Sequence, residues 1–540
     1  MAHYGKHVSA LATPQREKAR KDQRQNDAGG YGFALDPWAR LDRWLVLGCE
    51  GGSYYASEKA MTRDNARTVE ECLATNGPRA VARIAEVSRA GRAPKNAPAV
   101  FALAMAAGHL DLDTRRAALA ALPAVCRTGR EFFHFARDVE GFRRWGRALR
   151  GAVAAWYNDK PVDRVAYQAI KYRERDGWSH RDLLRLAHPK APSPEHDALY
   201  RWIVGGIAAL AKEGDKGKSI HPDRLPVLVH AFEELRYQQD RRRVAALVRE
   251  HHLTHEMVLT EHKNDPAVWE ALLEDMPMTA LVRNLATMTR VGVLTPGSAG
   301  TSKAIEQIGD RERIRKARVH PIALLAALRT YAAGCGVRGR GVWTAVPAIV
   351  DALDAAFYTA FENVEPTGKR LLLALDVSGS MGGGVVAGVP NLTPRDASAA
   401  LALVTAATET RYEVIGFSSK LVPLAISPRQ RLDDAIRAVS DLPFMATDCA
   451  LPMLYALAKK REIDTCVVLT DSETWFGRIH PAQALERYRR ETGIEARLAV
   501  VGMVSNGFSI ADPNDPGMLD VVGFDTATPQ LISDFARGAL

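Results

Sequence analysis

At 540 residues and 47% apolar composition, the chain is long enough for two or more domains, each with its own core. It contains no run of eighteen apolar residues, and its first thirty residues, rich in Lys, Arg, Gln and Gly, lack the apolar segment of a secretion signal; neither a membrane partner nor export is expected. The six cysteines form no Cys-x-x-Cys pair, which argues against a disulfide framework or a zinc ribbon and fits a reducing, cytoplasmic location.

The net charge of +9 is unevenly placed. From Thr367 onward there are 17 Lys and Arg against 20 Asp and Glu, or −3, which leaves 55 against 43, or +12, for residues 1–366. The basic surface is therefore N-terminal. Such a surface draws polyanions by releasing their condensed counterions, and nucleic acid is the expected partner.

In chain order, residues 1–29, with Lys18, Arg20, Lys21 and Arg24, read as a basic, flexible tail. Residues 30–365 read as almost wholly helical: Pro78 to Val87, Pro98 to Ala107, Thr114 to Val125, Arg143 to Trp156, His230 to Val248, Val268 to Leu273 and Pro321 to Ala332 carry helical apolar spacing between Gly, Pro and Asn breaks. Many short helices without long heptads point to stacked antiparallel pairs of the HEAT or armadillo kind, with room for about seven pairs at about 40 to 47 residues each.

Within that half, Arg127 to Lys190 holds 15 Lys and Arg against 8 Asp and Glu. Arg143, Arg147 and Arg150 fall on one predicted helical face, opposite Trp145, Leu149 and Val153, which are assigned to the core. Arg127 adds charge nearby. Lys171 and Arg175 follow, and Gly177 to His180 reads as the cap of a helix carrying Leu183, Leu184 and Leu186. From charge alone this is as well explained by a solvated face. His251, His252, His255 and His262 lack the His-Glu-x-x-His order of a zinc helix and are read as surface or RNA-facing histidines.

Residues 366–540 carry a different pattern. Leu371 to Leu375 is a strand apolar on both faces that ends in Asp376-Val377-Ser378-Gly379-Ser380; Thr447 opens an apolar helical stretch; Cys466 to Asp471 is a second buried strand ending in a carboxylate. In parallel α/β sheets ligands gather beyond the carboxyl ends of strands. Asp376, Ser378, Ser380, Thr447 and Asp471 would form an all-oxygen shell suited to Mg²⁺ first and Mn²⁺ second, rather than to zinc. The five positions resemble one for one the metal-ion-dependent adhesion site (MIDAS) of von Willebrand factor A domains, where the ion recruits an acidic group from a partner. A helix-capping role for the same side chains is the plainer alternative.

The segment from Lys171 to His188, KYRERDGWSHRDLLRLAH, closely resembles the signature of the Ro autoantigen, or TROVE, family. So do Leu41 to Tyr55, Val125 to Thr128, Trp145 to Arg150, Leu281 to Leu285, Ala355 to Arg370, Thr447 to Pro452, Thr470 to Trp475 and Ala511 to Asp525. The extended N-terminus and Met445-Ala446 depart from it. The resemblance implies an all-α HEAT-like ring followed by a Rossmann-like A domain. It further implies a noncatalytic ribonucleoprotein that binds small noncoding Y-like RNA on its outside, takes single-stranded ends of misfolded RNA through the hole, and serves RNA quality control beside a processing nuclease. By the same resemblance, Lys171, Arg175 and His188 match Y RNA contacts; Arg127, Arg143, Arg147 and Arg150 are added from charge and spacing. Two other classes stay open: a Mg²⁺-dependent nuclease using Asp376 and Asp471, and an A-domain adaptor for a protein partner without RNA.

Overall fold

The computed structural model describes residues 12–48, 58–210, 222–317, 319, 321–336, 341–360, 366–383, 386, 392–428, 430–440, 442, 446–523 and 527–539. Of the motifs above, residues 49–55, 361–365 and 524–525 and Met445 lie outside these.

The first half is helical, as its spacing predicts. The expected segments appear as Ala97–Gly108, Leu112–Val125, Pro266–Glu274 and Pro321–Ala332, each helix packing on neighbours one or two places along the chain. The segment Glu58–Ala90 is two helices broken at Asn76, whose side chain accepts from Arg79 N at 3.0 Å, so the second begins near Pro78 as expected. Two expectations fail on caps. The single helix foreseen from His230 to Val248 is two, Val227–Tyr237 and Arg241–His251, because Asp240 caps the second by accepting from Arg242 N at 2.9 Å. The helix foreseen from Arg143 starts only at Arg147, behind Gly146 in extended conformation.

The second half is built on a six-stranded sheet. Strands β1 (Gln23–Gln25) and β2 (Tyr31–Ala34) come from the N-terminus and β3 (Glu174–Arg175) and β4 (Trp178–Ser179) form a small hairpin among the helices. Then follow β5 (Leu371–Asp376), β6 (Tyr412–Phe417), β7 (Leu421–Pro423), β8 (Thr465–Thr470), β9 (Arg497–Gly502), β10 (Phe508–Ser509) and β11 (Met518–Val522). The main sheet runs β11-β9-β8-β5-β6-β7, parallel except for β7. Chain order reverses between the adjacent strands β5 and β8, and the crevice at their carboxyl ends is where this kind of sheet binds ligands.

All of β5 is buried. Leu371, Leu373 and Leu375 point into a core continuous with that of the helical half, while Leu372 and Ala374 join a second core with β8, β9 and the helices Leu451–Ala458 and Pro481–Thr492. Alternation along one strand thus places helices on both faces of the sheet.

Both ends of the helical series dock on the sheet domain. At the first helix, Pro37–Leu47, the Arg43 guanidinium is buried; it donates to both oxygens of Asp520 at 2.6 Å and to Asn506 Oδ1 and Phe508 O at 2.9 Å. At the last, Pro347–Thr359, Asp354 accepts from Leu432 N at 3.1 Å and Asp351 pairs with Arg431; on the helix before it, Pro321–Ala332, Arg329 meets Asp396 at 3.3 Å. Helices and sheet form a closed circuit.

The expectation of a flexible tail is corrected for residues 12–29. β1 and β2 pair antiparallel, β2 pairs in turn with β10, and the preceding segment lies against the sheet domain. The Gln15 side chain is fully buried: Nε2 donates to Asp448 Oδ1 at 2.7 Å and Ile479 O at 2.8 Å, and Oε1 accepts from the Thr474 hydroxyl. Polar composition misled because these side chains replace water with buried partners rather than with apolar contacts. Among the described residues no helix is long and apolar enough to cross a membrane.

Candidate metal centre and nucleic-acid interface

The carboxyl ends of β5 and β8 bring four of the five expected ligands into mutual contact. Ser378 N donates to Asp376 Oδ1 at 2.9 Å, the Ser378 and Ser380 hydroxyls lie 3.1 Å apart, and Ser380 is near enough to Asp471 to favour its charged form. All four are buried. Thr447 is buried in the adjoining loop, where its carbonyl accepts from Trp475 N and Phe476 N at 3.2 and 3.1 Å; two residues on, the Cys449 thiol feels the charges of both Asp376 and Asp471.

The electrostatics fit a cation. Burial pushes the Asp471 carboxyl up to about 7, with repulsion from Asp376 as the next cause, and burial raises Asp376 as well. A divalent ion would relieve two like charges buried together in this way. The hydroxyls complete a hard, all-oxygen donor set. Among the described residues no group of three or more His, Cys, Asp or Glu is placed to hold a metal, so any ion here depends on this mixed carboxylate and hydroxyl set.

Sequence reading missed the residues that hold the loops. Thr470 Oγ1 donates to Asp376 Oδ2 at 2.6 Å. Arg395, buried on the helix Pro394–Thr408, donates to Val377 O and Ser378 O at 2.9 and 2.7 Å, fixing the turn that presents the serines. From the N-terminal strap, Asn26 Nδ2 donates to Thr474 O at 2.9 Å and Ala28 N to Glu473 Oε2 at 3.1 Å. Thr470 adjoins a recognised ligand and was within reach; Arg395 and Gln15 give no local signal, since their partners are remote in sequence.

On the helical half, Ser179 caps the helix His180–Ala187 with a reciprocal bond from Asp182, as its sequence foretold. His188 ends that helix in the left-handed conformation, φ 44°, with its ring exposed. Arg175 is exposed on β3 opposite Trp178, and the hairpin tip is tied down by Asp176, which pairs with His134 and Arg137. Lys171 ends the helix Val162–Lys171, its amine 3.1 Å from the Tyr167 hydroxyl and 3.7 Å from Glu256.

The added arginines divide. Arg147 and Arg150 are exposed in the first turn of their helix. Arg143 precedes that helix and does not share its face; its guanidinium donates to Ala107 O at 2.8 Å, at the end of another helix. Arg127 likewise donates to Ala124 O and the Ser88 hydroxyl at 2.9 and 3.0 Å. Both are engaged in closing helix ends. Trp145 is half-buried against Trp178, with ring centroids 5.4 Å apart, instead of lining the core with Leu149 and Val153.

The comparisons agree with this architecture. The TROVE domain model matches residues 24–369 and the Ro60 vWA domain model residues 370–536. The chain belongs to the Ro60 family. It is 41% identical to the RNA-binding protein RO60 of Deinococcus radiodurans over 98% of each chain, and 34% identical to that of Caenorhabditis elegans over 97% of this chain and 92% of the other. The crystal structure of the Deinococcus radiodurans RO (RSR) protein superposes with a TM-score of 0.69 at 41% identity, covering 94% of this chain and all of that one. The TROVE match begins inside β1, so in this Ro-family chain the strap holding the loops beside the candidate site spans the start of the matched region.

Proposed function

We propose that this Ro-family protein is a noncatalytic RNA-binding scaffold, its helical surface holding a structured, Y-like RNA while single-stranded ends of misfolded RNA enter the space enclosed by the helical circuit, in the service of RNA quality control in the cytoplasm. The observation that supports it best is the exposed set Arg147, Arg150, Arg175 and His188, with Lys171 at a helix end, in a chain whose full-length relatives are named RNA-binding. Duplex RNA hides its base edges in a deep groove, so such a wall reads backbone and shape, while only flexible strands fit an aperture. The test is filter binding of a stem-loop RNA with a single-stranded 3′ tail across a salt series. Lys171→Ala with Arg175→Ala should weaken binding and lower the salt slope by about two units, since each phosphate contact contributes about 0.9. An unchanged slope rejects the surface.

At the metal face, we infer that Asp376, Ser378, Ser380, Thr447 and Asp471 hold Mg²⁺, with Mn²⁺ as its substitute. The ion supplies an electrophilic coordination position for an acidic group of a partner, for which an RNA-processing nuclease is the reading. This chain's own residues position that face: Arg395 sets the serine turn, Thr470 orients Asp376, and the Gln15 strap steadies the loop from Glu473 to Gly477. Labelled RNA incubated with protein and Mg²⁺ should stay intact; cleavage abolished by Asp376→Ala would instead make the protein a nuclease.

A further inference from the structure

Beside Lys171 the helical half contains a cavity of about 150 Å³ whose lining includes Tyr167, Lys171, Thr254, His255, Glu256 and Asp275. It adjoins a wider surface depression of about 520 Å³ formed by Lys171, Arg173, Glu174 and Glu256. Lys171 and Glu256 line both, so their 3.7 Å ion pair stands at the throat between them.

Of the carboxylates here, Glu256 has the most cations around it. Lys171 and Lys263 both feel the charge of Glu256, Arg173 lies close enough to Lys263 to act on it, and Arg283 acts on His255. Arg173 and Arg283 are exposed, whereas Lys171 and Lys263 are half-buried. Cations thus gather around Glu256, while Glu174 borders the outer depression and Asp275, paired with His252 at 2.7 Å, borders the cavity. Two polar atoms here are buried without a hydrogen-bond partner, Thr254 Oγ1 and Glu256 Oε2, although His255 Nδ1 is 3.1 Å from the latter. Buried acceptors left open are costly and mark a place for a donor. His255 is held in place by its stack on Trp269, with centroids 6.3 Å apart, and by Asn284 Nδ2 at 3.4 Å.

We propose that this is a pocket for a single unpaired nucleobase, with the rim cations on its phosphate and Glu256 and Thr254 on its Watson–Crick edge, guanine being the preferred base. At about 150 Å³ the cavity has the size of one base, and it sets apolar walls such as Val248, Leu253 and Leu272 against the polar groups named above. Guanine presents two adjacent N–H donors to a carboxylate. Uracil presents one donor between two carbonyl oxygens, which the carboxylate repels. A phosphate drawn to Lys171 loosens the Lys171–Glu256 pair and so opens the throat for the base it carries. This inference rests on the RNA-binding reading and narrows it, because a base must be splayed from its stack to enter.

The test uses the full-length protein and fluorescein-labelled nonauridylate, with versions carrying one central guanosine, adenosine or cytidine, in fluorescence anisotropy at fixed salt. The guanosine version should bind about tenfold tighter than nonauridylate, the scale of one bidentate base contact. Glu256→Gln should reduce that preference to less than about threefold while leaving nonauridylate affinity unchanged or raised, since Lys171 is freed. Thr254→Val, which keeps the residue's size, should show a smaller loss of preference. Equal affinity for all four oligonucleotides, or a preference that survives both substitutions, overturns the pocket. Failure of every oligonucleotide to bind also overturns the pocket, while the RNA-binding reading itself falls only if the stem-loop RNA fails to bind in the filter assay.

Discussion

The crevice at the ends of β5 and β8 and the cationic face of the helices differ in how they are made. In the crevice, the candidate ligands are buried and each is held by further buried groups: Asp376 by Thr470, the serine turn by Arg395, the neighbouring loop by Gln15. On the helical face, Arg147, Arg150, Arg175 and His188 sit exposed on helices and a hairpin of two-residue strands. A buried site is over-determined and tolerates little change. An exposed face draws its specificity from what binds it.

The largest effect that sharpens this contrast is deletion of residues 1–34. It removes β1, β2 and the Gln15 bonds, and should cost the sheet domain more than about 4 kcal/mol, seen as early unfolding and rapid proteolysis after the cut. Arg43→Ala comes next. It strands Asp520 at the joint between the first helix and β11, and should cost about 3–5 kcal/mol in chemical denaturation. Equal stability of either variant and the wild type would show that the strap or the joint is dispensable.

Asp471→Asn tests the crevice itself. Without divalent ions it removes a buried like charge and should raise the melting point, by the equivalent of about 1–3 kcal/mol; with Mg²⁺ the wild type should gain stability and the variant should not. A Mg²⁺-independent melting curve for the wild type would remove the ion from the account.

The smallest effect is one of pH in the helical half. His180 is buried, with its Nδ1 2.8 Å from the Tyr157 hydroxyl, and burial pushes its imidazole down to about 3. Because the folded state resists a proton that the unfolded state accepts, the stability it contributes is whole above about pH 6.5 and declines as pH falls toward 3. His180→Asn should therefore flatten the loss of stability between pH 6.5 and 5, by about 1–2 kcal/mol, in urea titrations. A slope identical to that of the wild type would place the acid sensitivity elsewhere.

Local pattern determined much of this protein. Five aliphatic residues running into Asp376 specify a doubly buried strand, because only a parallel sheet covers both faces, and that places the carboxylate at the strand mouth; β8 and Asp471 repeat the rule. The Gly177 to His180 cap and Pro321 marked helix starts through backbone groups a few residues away. What tertiary structure alone decided is what depends on partners remote in sequence. Gln15 bonds to Asp448 across 433 positions and Arg43 to Asp520 across 477, and no spacing within either segment records such a meeting. The same holds for Arg127 and Arg143: their charge was plain from the sequence, but whether a guanidinium faces solvent or closes a helix end is set by which carbonyls the fold brings within its reach.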